Sequence, residues 1–265
     1  MNIYIHELKM LRNVTIYWTI ALVAVLILFM SIYPAVSTDA ASFQELLDSF
    51  PEGFQEALGI SNFNFATVLG YYSFTLIYIF LMGYIQAMNY GASSVSIELS
   101  QNTADFLFAK PVKRINILTY KILAIITCLL FTNLIYGITT FAVLNAVSSA
   151  EYDLMTLILI NFSLFLVQLL FVSLGLFVAV FLKKLKSVLP LTLGFVFGFF
   201  IINLLNESLD DVKLTFLTPF AYFTPTKIII NRSYDLTYLL LTLFLILLFT
   251  ITTYLVYHKK DIPSI

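Results

Sequence analysis

Apolar runs about twenty residues long recur along the chain, separated by short polar stretches, and a helix of that length crosses a hydrocarbon core of about 30 Å. The pattern predicts spans near 14–37, 66–90, 118–144, 155–182, 188–206 and 237–257, and with them an all-α polytopic membrane protein of six transmembrane helices. Shorter patterns fill the ends and loops. In residues 2–13, Ile5, Leu8 and Leu11 fall near one helical face, while Glu7, Lys9 and Arg12 lie largely around the other side. That arrangement predicts an amphipathic helix at the membrane surface. In the loop 38–65, Phe43, Leu46, Leu47 and Phe50 follow the i, i+3, i+4, i+7 spacing until Pro51, and Phe54 and Leu58 resume it one turn apart. Two short interfacial helices forming a structural lid are expected there.

Composition strengthens the membrane assignment. Hydrophobic residues make up 60% of the chain and charged residues 11%, against about 25% charged in a soluble domain. The first run exceeds the 7–15 apolar residues of a secretory signal, so it is expected to persist as a mature span. The single cysteine, Cys128, excludes an intrachain disulfide and a cysteine-based metal cluster.

Charge then orients the spans, because Lys and Arg in short loops are retained on the cytoplasmic side. With the N-terminus inside, 11 of the 14 basic residues are cytoplasmic: Lys9 and Arg12, the group Lys110, Lys113, Arg114 and Lys121, the group Lys183, Lys184 and Lys186, and Lys259 and Lys260. Lys213, Lys227 and Arg232 fall in the loop before the last span. Both termini are therefore expected in the cytoplasm.

Several chemistries lack their residues. There is no G-x-x-x-x-G-K-[ST] phosphate loop, so ATP is not expected to bind this chain. His6-Glu7 has no second histidine at the zinc-protease spacing, and no metal site is expected. The spans hold no Asp or Glu away from their ends, which disfavours a proton-driven carrier. Their polar residues Gln86, Asn89, Asn133, Asn161, Gln168 and Asn203 suit interhelical hydrogen bonds or mild contacts to a translocated molecule. Gly194 and Gly198 stand at the G-x-x-x-G spacing, which permits close helix approach.

The most informative stretch lies between the second and third spans, from Ser96 to Arg114 and on to Lys121. It predicts a short helix that stops before Pro111. Leu99, Thr103, Phe106 and Leu107 lie on one side, Glu98, Asn102 and Asp105 line another, and a basic cluster follows. An exposed aromatic and apolar stripe beside basic residues suits docking in a groove of a partner protein. It equally suits a basic loop resting on lipid head groups.

These residues resemble a family. Glu98, Thr103, Phe106, Leu107, Lys110, Pro111, Val112, Arg114 and Lys121 are similar to the pattern of type-2 ABC transporter permease subunits, with Asn102 where that family usually has glycine. The resemblance extends to Phe50-Pro51-Glu52 leading to Leu58-Gly59, and to the run Leu217 to Phe223 before the last span. It implies one permease domain over 1–265, with a coupling loop at 91–121 and outer loops at 38–65 and 207–236. Residues 96–110 would be the helix that receives force from an ATPase, through Glu98, Thr103, Asp105, Phe106, Leu107, Lys110, Pro111 and Arg114. Leu214 to Ile230, interrupted by Pro219 and Pro225, would form a re-entrant helical pair.

The resemblance further implies the partners. They are a separate ABC ATP-binding subunit that holds ATP and Mg, a second permease subunit, and membrane lipid, with no nucleic acid. The chain would itself be no enzyme but part of an exporter in the bacterial plasma membrane, for a lipid-like molecule, peptide antibiotic, ion or envelope component. An energy-independent carrier or channel is the alternative, and a membrane enzyme would require a polar catalytic cluster in a span.

Overall fold

The computed structural model describes residues 3–39, 42, 45–47, 49–51, 55, 63–100, 114–149, 151–182, 187–209 and 212–259. Six helices among them are long and apolar enough to cross a membrane. They are α1 (Ile3–Thr38), α2 (Val68–Ser100), α3 (Arg114–Val147), α4 (Leu154–Phe181), α5 (Leu189–Leu209) and α8 (Leu236–Lys259). Between α5 and α8 lie α6 (Val212–Leu217), a 3-10 turn (Pro219–Ala221) and α7 (Pro225–Asn231). Each apolar run of the sequence thus falls on one helix, with the runs at 66, 182 and 188 reaching a residue or two past the helix ends and the helices otherwise extending beyond the runs.

The N-terminal amphipathic stretch is helical, and it forms the opening turns of α1 rather than a separate element. At 1.5 Å per residue, the 36 residues of α1 reach about 54 Å, well beyond the thickness of a hydrocarbon core. Leu8 and Leu11 pack against the core, and the Tyr4 hydroxyl lies 2.9 Å from Thr127 Oγ1 on α3. Tyr33, near the other end, is buried and donates to the Ala66 carbonyl. In the following loop Ser49 N–H bonds to the Glu45 carbonyl and Gln55 N–H to the Pro51 carbonyl, one helical turn on each side of the proline. Phe43, Phe54 and Leu58 lie outside the described residues.

Two helix pairs build the bundle, α2 with α4 and α1 with α3, and α8 packs along α4. The α2–α4 joint is the closest. A Cβ added to Gly175 would stand 2.6 Å from the Met88 carbonyl oxygen, and one added to Gly91 would fall on the Val172 carbonyl. Only glycine lets two backbones approach this far.

The segment between α5 and α8 enters and leaves at the same end of the bundle. Its prolines open the 3-10 turn and α7, where a missing N–H costs nothing. Arg232 closes α7 in the left-handed region, φ 51°, with its N–H on the Ile228 carbonyl. Phe220 reaches inward to the midpoint of α2, with its ring 4.8 Å from Tyr84 and 6.1 Å from Phe171 on α4. Thr218 Oγ1 donates to the Phe199 carbonyl on α5 at 2.9 Å. These pieces of six, three and seven residues are too short to span, and they follow the re-entrant course that the family resemblance implies.

Candidate functional site

The candidate docking loop joins α2 to α3. α2 continues as one helix through residues 91–100 and α3 opens at Arg114. The backbone therefore places Glu98 in the last turn of α2 and Arg114 in the first turn of α3. Thr103, Asp105, Phe106, Leu107, Lys110 and Pro111 lie outside the described residues.

In α3, Lys121 ties three helices together. Two turns into α3, its side chain is only 6% exposed, and Nζ donates to the Ser94 carbonyl of α2 at 2.8 Å. The same Nζ stands 3.7 Å from Glu7 Oε1 on α1. A buried charge is costly unless paired and hydrogen-bonded, so each of these contacts offsets the desolvation of the ammonium. A fourth helix joins through Thr119. Its hydroxyl proton is spent on the Ile115 carbonyl, so Tyr254 of α8 donates to Thr119 Oγ1 at 2.8 Å. Both flanks of the loop are thereby fixed to the end of the bundle that carries both termini.

Further inside, hydrogen bonds link the four helices both between and within the two pairs. Gln86 of α2 donates from Nε2 to Tyr90 and to Thr132, each at 3.3 Å. Thr15 and Thr19 of α1 spend their own protons on backbone carbonyls, so Tyr90 donates to Thr15 and Thr132 to Thr19, both at 3.0 Å. Asn133 of α3 donates to Gln168 Oε1 of α4 at 2.6 Å, and Gln168 passes a bond on to the Gly83 carbonyl. Near the far end Tyr72 donates to Asn161 at 2.6 Å, which leaves Tyr136 as the donor to Tyr72 at 2.8 Å. Of the polar span residues singled out from the sequence, Gln86, Asn133, Asn161 and Gln168 are thus interhelical links.

Polar contacts occur both within the pairs and between them, and those that cross the seam run from Lys121–Ser94 through Thr15–Tyr90, Gln86–Thr132 and Asn133–Gln168 to Tyr72–Tyr136. Such a seam can exchange partners in discrete steps, while close-packed apolar joints resist sliding. A push on the loop would meet α2 and α3 on opposite sides of the seam.

In the sequence Lys121 belongs to the basic cluster and to the residues of the family resemblance, and Glu7 to a polar face, but nothing there pairs the two. Their signal was nonetheless present, since an ionisable side chain within an apolar helix points to a functional role with a specific partner.

Comparison with known proteins gives one finding. A family model described as ABC-2 family transporter protein matches residues 1–262. No curated protein and no solved structure matches the chain.

Proposed function

The chain belongs to the ABC-2 transporter family, the membrane components of ABC transporters, and from that premise we propose that it is the permease subunit of an ATP-driven exporter. The family match over residues 1–262 carries the reading. In this reading a separate ATP-binding subunit holds ATP and Mg and docks against residues 96–114 on the cytoplasmic side of a bacterial plasma membrane. Both termini lie on that side, as the distribution of basic residues favours. A second permease subunit completes the pathway, and the cargo leaves outward.

The seam supplies the moving part. Closure of the ATPases presses on the loop, and Lys121, held to Ser94 and Glu7, passes the displacement to α1, α2 and α3 together. The ladder between the pairs then rearranges, while the glycine-closed α2–α4 joint moves as one body. The chain contributes no hydrolytic chemistry of its own.

The test is co-purification from native membranes of the parent chain and of Phe106→Ala, Arg114→Glu and Lys121→Met variants. The parent is expected to recover an ATP-binding subunit, and the first two variants to lose it. Lys121→Met is expected to retain the subunit but to lose substrate-linked ATP hydrolysis. A parent that recovers no ATP-binding subunit defeats the permease reading. Full binding and coupling in the Phe106 and Arg114 variants defeats the docking loop.

A further inference from the structure

At the end of the bundle opposite both termini, the first turns of α2, the last turns of α5 and the proline-broken segment enclose a cavity of about 350 Å³. Pockets for small ligands run from about 300 to 1,000 Å³, so this one fits a short molecule. Six aromatic rings contribute to its wall: Phe63, Phe74, Tyr78, Phe80, Phe200 and Phe220.

Two of the hydroxyls in the wall have spent their protons. The Ser73 hydroxyl already donates to the Leu69 carbonyl at 2.8 Å, and the Thr224 hydroxyl to the Ala221 carbonyl at 3.2 Å. Only lone pairs remain for these two to offer. Asn203 Oδ1 is buried with no hydrogen-bond partner, an arrangement that costs free energy until a donor reaches it. Glu207, one turn further along α5, adds a carboxylate to the lining. It makes another contact of its own, but a carboxylate has about four lone-pair sites and can accept more than one donor.

The hydroxyls of Tyr78 and Thr226 and the Asn203 N–H groups can donate, but the unpartnered Asn203 oxygen beside the Glu207 carboxylate, set among aromatic rings, favours a cation that donates hydrogen bonds. We infer that this cavity binds a short-tailed amphipathic primary amine, its ammonium directed to Asn203 Oδ1 and Glu207 and its tail among the rings. An ammonium brings three donors and no acceptor, and the aromatic faces attract its charge. An alcohol of equal length brings one donor and no charge, and a carboxylate brings only acceptors and a repelling charge. The site lies within one subunit, and binding there stands whether or not the chain exports anything.

The full chain, reconstituted in nanodiscs of zwitterionic phosphatidylcholine, is photolabelled with octylamine carrying a diazirine at the tail end. Octanol and octanoate probes of the same design run alongside, and labelled peptides are located by mass spectrometry. Saturable amine labelling is expected within residues 63–80 and 200–226, displaced by unlabelled octylamine and not by octanoate. Asn203→Leu and Glu207→Gln are each expected to weaken it about tenfold, the loss of a hydrogen bond to a charged group. Equal labelling by all three probes overturns the inference without recourse to any variant. So does labelling spread over the outer faces of α5 and α8, or affinity unchanged in both variants.

Discussion

Gly91 and Gly175 bring α2 and α4 into backbone contact, whereas Gly194 and Gly198 on α5 would each accept a Cβ with no atom within 4 Å. The burial of the helices follows the same division. In their most apolar stretches 72% of the residues of α2 and of α4 are buried, against 11% for α5 and for α8. A small residue therefore marks a close joint only where another backbone is there to use the space. The first glycine pair holds one subunit together, and the second leaves a helix face open on the outside of it.

Added bulk is expected to act very differently at the two places. Gly175→Leu forces a side chain against the backbone of α2, where no rotamer change can make room. Overpacking a core costs about 1–3 kcal/mol, and a fixed backbone neighbour puts this substitution at the upper end or beyond. Thermal unfolding of the purified chain in nanodiscs is expected to show a large loss, with Gly91→Leu equal to it. A loss no greater than that of a matched substitution on the lipid-facing side of α4 would remove the special status of the joint.

A smaller effect is expected across the seam. Asn133→Leu removes the 2.6 Å bond to Gln168 and leaves a fully buried amide oxygen without its donor. Hydrogen bonds between membrane helices are worth about 0.6 kcal/mol on average and at most about 1.7 in measured cycles. A double-mutant cycle with Gln168→Leu is expected to return a coupling in that range, well below the cost at Gly175. A coupling of several kcal/mol would make the seam, not the glycine joint, the rigid part of the subunit.

Which of these features the sequence discloses follows from the range of the interactions involved. Six apolar runs and the prolines at 219 and 225 are local signals, and they place all six long helices and the broken segment. The G-x-x-x-G at Gly194 and Gly198 is also local, and it marks a pair that meets no other helix among the described residues of the subunit. Gly91 follows Gly83 and Ala87 at four-residue spacing and Gly175 precedes Ala179 at the same spacing, but which backbone each meets arises from two helices 84 positions apart coming together at one point. Lys121 poses the same difficulty, because its partners Glu7 and Ser94 are named only once α1 and α2 stand beside α3. Asn203 reads in the sequence as one more amide in a span, and its unpartnered oxygen follows from the chain folding back at Phe220.

On α5 the same leucine test is expected to give the opposite result. Gly194→Leu meets nothing within the subunit, so its unfolding should stay within about 0.5 kcal/mol of the parent, as for other surface substitutions. If a second permease subunit covers this face, the variant instead shifts the population from paired to single subunits, read by mass photometry in nanodiscs. Stability and pairing both unchanged would leave the α5 glycines without a role in assembly.

The smallest effect is expected at the exposed start of α4, and it carries a pH signature. Asp153 caps that helix, with its carboxylate accepting from the Thr156 hydroxyl at 2.6 Å and from the Thr156 N–H at 3.3 Å. These bonds, the hydroxyl's first, hold the Asp153 carboxyl below the usual carboxylate range. A carboxyl whose pKa is lowered by folding stabilises the folded state above its unfolded value, near 3.9 for aspartate, and the contribution fades as pH falls through the folded value. Asp153→Ala is therefore expected to unfold slightly below the parent at pH 7, with the gap closing toward pH 3. The effects at Gly175 and Asn133 involve no titrating group and should keep their size across the same range. A gap at position 153 that persists unchanged at pH 3 would show that the aspartate acts by shape, not by the charge that accepts from Thr156.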